Sequence, residues 1–101
     1  MTGVADVDAS APVGTIAAAV VEGVDVAVIR HADGWVMVAD TCTHAHCAFT
    51  SDGDVVDGAT LICNCHGSEF DLRTGEVLLG PAEVSLTVVA LRVEAGALRL
   101  A

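Results

Sequence analysis

The chain reads as an all-β protein, an antiparallel sandwich or small barrel built from short strands. Three observations predict this. Its apolar residues are mainly Ala and Val, with one Trp, two Phe and no Tyr, and β-branched side chains suit the pleated, half-buried surface of a sheet. Asp-Gly pairs and other turn signals separate short apolar stretches at the spacing of strands in a meander. No amphipathic helical pattern of ten or more residues is present, and no segment repeats.

The elements follow in order. Residues 1–13 are small and polar and read as an irregular lead-in. Residues 15–21, TIAAAVV, are ambiguous, because Ala favours helix while Val and Ile favour strand. Val24, Val26 and Val28 then alternate with Asp25 and Ala27, the period of a strand. Asp33-Gly34 turns the chain into a second strand, 35–39, making a hairpin. Cys42 comes at once, so residues 42–47 form a loop leaving a strand end. Asp52-Gly53 breaks the next stretch, and Asp57-Gly58 sets a turn before the strand 60–63. A second cysteine-bearing loop leads into 69–72, which pairs with 76–79 across Arg73-Thr74-Gly75. Gly80-Pro81 opens another loop, and the strand 86–94 turns at Ala95-Gly96 into 97–100.

At 101 residues the chain is one domain. Its longest apolar run, 16–21, falls far short of the roughly 20 residues of a membrane span. It has no Lys and its first Arg is Arg30, so a secretory leader with a basic start is not expected and the cytoplasm is the expected location. Fourteen acids against four Arg give a net charge of −10. That excludes nucleic acid and anionic membranes as favoured partners. Most of the acids act as a solvating surface, and together they favour a partner with a basic patch.

Four metal-competent side chains sit on two short segments: Cys42 and His44 as C-x-H, Cys63 and His66 as C-x-x-H. Two thiolates and two imidazoles can close a tetrahedral zinc site, or hold a [2Fe–2S] cluster with two Cys on one iron and two His on the other. Zinc fingers keep like ligands together, whereas here each loop gives one of each type, so the spacing points away from zinc. His31, beside a turn, reads as structural. His46 and the remaining cysteines, Cys47 and Cys65, leave some ambiguity over the ligands.

The segments CTHAHC at 42–47, CNCHGSEFD at 63–71 and TGEVLLGPA at 74–82 resemble the Rieske iron–sulfur family. The resemblance implies a [2Fe–2S] cluster with Cys42 and Cys63 on the inner iron and His44 and His66 on the outer one. It also implies a cluster-binding subdomain of about residues 40–72, inserted in a base of 1–39 and 73–101. Cys47 and Cys65 occupy positions where Rieske proteins of quinol-oxidising complexes carry a disulfide, and the resemblance favours one here. A reducing cytosol would instead favour two buried thiols. Ser68 matches a hydroxyl that bonds a bridging sulfide in high-potential members. Phe70 stands where those members have a Tyr donor, and Gly80-Pro81-Ala82 matches a loop that shields the cluster.

The function implied is one-electron carriage without a catalytic site, as in ferredoxins that pass electrons from a flavin-dependent reductase to a terminal ring-hydroxylating oxygenase. The alternatives are a small Rieske subunit of a larger complex, of nitrite reductase or quinol-oxidising type, or a zinc-binding interaction module.

Overall fold

The computed structural model describes residues 3–4, 7–42, 47–65, 67–80 and 82–100. His44, His46, His66 and Pro81 therefore lie outside the described residues. Among the described residues ten strands and one short helix follow in order: β1 (Gly3–Val4), β2 (Ile16–Val21), β3 (Val24–His31), β4 (Gly34–Ala39), α1 (Phe49–Asp52), β5 (Gly53–Val56), β6 (Thr60–Cys63), β7 (Ser68–Asp71), β8 (Val77–Leu79), β9 (Val89–Glu94) and β10 (Ala97–Leu100). All strand pairs are antiparallel. They form a six-stranded sheet in the order β1-β10-β9-β4-β3-β2 and a four-stranded sheet in the order β5-β6-β7-β8. The fold is all-β, as the composition and turn pattern imply.

Sheet context decides the segment with mixed propensities. Ile16–Val21 is a strand, pairing with β3 from Ile16 opposite Ile29 to Val21 opposite Val24. The two-residue connection Glu22-Gly23 has φ of 52° and 80°, the positive values of the hairpin turn whose twist suits antiparallel strands. Two expectations need correction. The lead-in is not wholly irregular, since Gly3 and Val4 pair opposite Arg99 and Leu98. The strand expected from residue 86 begins only at Val89, because the Leu86 amide donates instead to the Gly75 carbonyl at 2.8 Å. Between the cysteine boxes the chain forms α1 and β5, and β5 becomes an edge of the second sheet.

The centre of the larger sheet, β3 and β4, is buried on both faces, which is why residues 35–38 read as an unbroken apolar run. Ala27, Ile29, Val36 and Val38 face a core shared with Phe49, Leu61, Phe70 and Leu72. On the other face Val26, Val28, Trp35 and Met37 pack with Val21, Leu91 and Leu98. Phe49 and Phe70 meet edge to face, with ring centroids 6.1 Å apart and an interplanar angle of 85°. Burying each such ring stabilises the fold by about 1.5–3 kcal/mol.

The second sheet extends to Leu79. The β3–β4 turn meets the end of that sheet remote from the cysteine boxes. There the Ala32 amide donates to the Gly58 carbonyl at 2.7 Å, and Arg73 Nε lies 2.5 Å from Asp33 Oδ2.

Candidate metal centre

The first cysteine box begins where β4 ends. Asp40 starts it by accepting two hydrogen bonds from Thr50, from the amide to Oδ1 at 3.0 Å and from the hydroxyl to Oδ2 at 2.6 Å. The Cys42 amide donates to the Cys47 carbonyl at 2.8 Å, so the two ends of the box meet. The second box leaves β6 at Cys63 and is closed in the same way, by the Gly67 amide on the Cys63 carbonyl at 2.8 Å. Gly67 has φ of 81°, a conformation that glycine adopts without the cost of a Cβ. Asn64 adds two ties, its amide to the Asp52 carbonyl and its side chain to Asp54 Oδ2, each 2.7 Å.

A disulfide between Cys47 and Cys65 joins the loops, with Cα atoms 6.6 Å apart. The thiol alternative is therefore not the form described. Cys42 and Cys63 lie outside the disulfide, 2% and 1% exposed, in the apolar cluster that includes Phe49, Phe70, Ala82 and Leu86. The sulfurs of Cys47, Cys63 and Cys65 all lie within 4.8 Å of one another. That trio is not a three-thiolate metal site, because two of its sulfurs are bonded to each other. Cys63 is the member left to serve as a thiolate ligand.

Ser68 is fully buried, and its Oγ accepts the Ala82 amide at 3.1 Å. An oxygen fixed as an acceptor keeps its own proton to donate, and no acceptor takes it among the described residues. Two buried thiols and an unspent hydroxyl proton suit a sulfur-rich anionic group. Ala82 is buried on Ser68, while Pro81 beside it and the imidazoles of His44 and His66 are outside the described residues. His31 is a turn residue as expected. It is 6% exposed, its Nδ1 accepts the Asp33 amide at 3.2 Å, and burial pushes its pKa down.

The sequence reading did not find Asp40, Thr50, Asn64 or Asp54. Each pair is ten residues apart, and no local pattern links such positions before strand pairing brings them together. Charge is distributed unevenly along the chain. Eight of the fourteen acids fall between residues 40 and 83, where Arg73 is the one cation. Arg73 pairs with Asp33 at the remote end of the sheet, while Arg30 lies over the Trp35 ring at 5.8 Å. Arg92 and Arg99 approach Glu94 at 2.9 and 3.7 Å.

Two antiparallel sheets presenting a pair of closed, disulfide-joined Cys/His loops define a small iron–sulfur protein. The chain belongs to the Rieske [2Fe-2S] domain family, whose model matches residues 3–90. The family's cofactor is a [2Fe–2S] cluster, and the donor set of this chain fits it.

The 3-phenylpropionate/cinnamic acid dioxygenase ferredoxin subunit of Escherichia coli (strain K12) is 39% identical over 59 residues, 58% of this chain and 55% of that protein. The match thus spans about half the length of this curated relative. The ubiquinol-cytochrome c reductase iron-sulfur subunit of Rickettsia conorii is 38% identical over 56 residues, 55% of this chain and 30% of that protein. Among solved structures, a chain in the complex of reduced oxygenase and oxidized ferredoxin in carbazole 1,9a-dioxygenase is 30% identical. It covers 99% of this chain and 98% of its own length, with a TM-score of 0.78. The ferredoxin of carbazole 1,9a-dioxygenase from Nocardioides aromaticivorans IC177 is 22% identical with a TM-score of 0.84, over 99% and 95% of the two chains. That last likeness speaks to the fold alone.

Proposed function

We propose that the chain is a one-electron carrier, the ferredoxin component between a flavin-dependent reductase and a ring-hydroxylating oxygenase. The observation that carries this is the pair of buried thiols, Cys42 and Cys63, on two loops tied by the Cys47–Cys65 disulfide. In this reading Cys42 and Cys63 hold the inner iron and His44 and His66 the outer one. The four-stranded sheet and its loops form the cluster-binding part, and Pro81 belongs to the covering loop.

When bound, the cluster takes up and returns one electron. Neutral imidazoles in place of two thiolates ease reduction, with family potentials of roughly −150 to +300 mV against about −400 mV for plant-type ferredoxins. The apolar core around Cys42 and Cys63 keeps water from the thiolates, and the remaining proton of Ser68 would be available to donate to a cluster sulfide.

The acidic stretch 40–83 suits docking to partners that carry a basic patch. Exposed Leu78, Leu79 and Val84 flank the covering loop and supply apolar contact. No helix of the described residues is long and apolar enough to cross a membrane, and the cytoplasm is the location proposed.

The purified protein should contain two irons and two labile sulfides per chain, and its reduced form should give the low average g-value of mixed nitrogen and sulfur ligation. Stoichiometric zinc without sulfide would overturn the reading. Replacing His44 or His66 by Ala should abolish normal assembly, His31→Ala should leave it intact, and His46→Ala should at most perturb it. The disulfide favours a second reading, a subunit of a quinol-oxidising complex. Electron transfer from a reductase to an oxygenase through the purified chain separates the two.

A further inference from the structure

The Cys63 sulfur lies within 4.8 Å of both sulfurs of the Cys47–Cys65 disulfide. A thiolate exchanges with a disulfide by attacking one of its sulfurs, and the rate depends on thiolate character and access. The separation is short enough for side-chain rotation to close. Cys42 is not a member of this trio of sulfurs.

We propose that Cys63, when it holds no iron, is an internal nucleophile toward the Cys47–Cys65 disulfide. The Cys63 thiolate forms a bond to Cys47 Sγ, the Cys47–Cys65 bond breaks, and its electron pair leaves on Cys65 as a thiolate. Nothing is oxidised or reduced overall, and no co-reactant is needed. Attack falls on Cys47 rather than Cys65, because a Cys63–Cys65 bridge would close a small strained ring across Asn64, whereas Cys47–Cys63 keeps a tie between the loops.

The consequence for cluster loading rests on the function proposed above. Exchange turns a ligand into a disulfide partner and frees a thiol two residues away, so the iron-free chain drifts into an isomer that cannot be loaded. A metal-bound Cys63 is withheld from the reaction. The trio of sulfurs therefore makes pairing of the disulfide conditional on occupancy of the metal centre.

The test follows the sulfurs of the full chain. Protein stripped of iron by a chelator, and cluster-loaded protein beside it, are incubated at mildly alkaline pH without added thiol and quenched in acid. Free thiols take a light alkyl label, the disulfide is then reduced and takes a heavy one, and fragmentation locates each label. In the iron-free chain the light label should pass from Cys63 to Cys65 over minutes to hours, the timescale of uncatalysed disulfide rearrangement, while Cys42 keeps its own. The loaded chain should show light label on Cys42 and Cys63 alone.

Light label confined to Cys42 and Cys63 in the iron-free chain overturns the proposal. Label arriving on Cys47 also overturns it, as does loss of light label from Cys42, which would mark scrambling in an unfolded chain. Iron and sulfide content of the isolated protein reports separately on the cluster, so either reading can fail while the other stands.

Discussion

Ser68 Oγ accepts the amide hydrogen of Ala82 across fourteen residues of sequence, binding the second cysteine loop to the segment that leads from one sheet to the other. The bond fixes which way the hydroxyl can donate. Ser68→Ala should lower the reduction potential, because a donor to a charged acceptor is worth roughly 1.5–3 kcal/mol. For a one-electron couple, at about 59 mV per tenfold, the shift is several tens of millivolts to around a hundred. Protein-film voltammetry at one pH checks it. An unchanged potential would leave Ser68 as a fastening for Ala82 only.

Phe70 is fully buried against Phe49 and shares its cluster with Cys42 and Cys63. Phe70→Tyr should raise the potential by a similar several tens of millivolts, with the new hydroxyl donating to a ligand sulfur. A variant that keeps its potential and loses about 1–3 kcal/mol of stability would show an unsatisfied hydroxyl stranded in the core.

The double variant Cys47→Ser, Cys65→Ser should keep its cluster and unfold more easily. The bridge closes a loop with a sequence separation of 18, for which the cross-link constrains the unfolded chain by about 3 kcal/mol. Urea titration of the loaded protein with and without the bridge measures the difference.

Gly75 admits no side chain. Its φ is 82°, and a Cβ there would lie within van der Waals overlap of the Leu86 carbonyl oxygen. Gly75→Ala should cost about 2–4 kcal/mol, combining left-handed strain of about 1–2 kcal/mol with displacement of the Leu86 backbone. Hydrogen exchange at the Leu86 amide, which Gly75 holds at 2.8 Å, should quicken in the same variant.

His31 predicts a pH dependence. Burial pushes its pKa below the ordinary 6.5; Arg73 and Arg30 add to that, while Asp33 and Asp71 oppose it. On acidification the unfolded chain takes up this proton before the folded one. The stability contribution is thus fully present above the unfolded value and is lost as pH falls below it toward the folded value. His31→Gln removes the titration while leaving an acceptor for the Asp33 amide. Between about pH 7 and about pH 5, the urea midpoint of this variant should fall less than that of the parent.

Much of this was legible in the sequence because it depends on neighbours along the chain. Asp33-Gly34 and Ala95-Gly96 announce their hairpins, and the strand 60–63 lies where the Asp57-Gly58 turn places it. The two cysteine boxes announce the centre by internal order alone. What stayed hidden depends on partners distant in sequence. Gly3 and Val4 become a strand only because β10 offers them an edge, and the span before Val89 is drawn out of the sheet by Gly75. Residues 16–21 could not be assigned from propensity, since their choice was made by β3. Asp40 looked like another surface acid, although it holds Thr50 and with it the far end of the first loop.

β2 is an edge strand of six residues, IAAAVV, with no charge along it. An apolar, uncharged edge of this kind invites a strand from another molecule, the first step toward aggregation. Here the invitation is answered internally, because β1, α1 and β5 all approach β2 within the same chain. The small elements at the start of the chain and after the first cysteine loop therefore guard against self-association. Shortening the N-terminal segment would be felt in solubility before it was felt at the iron.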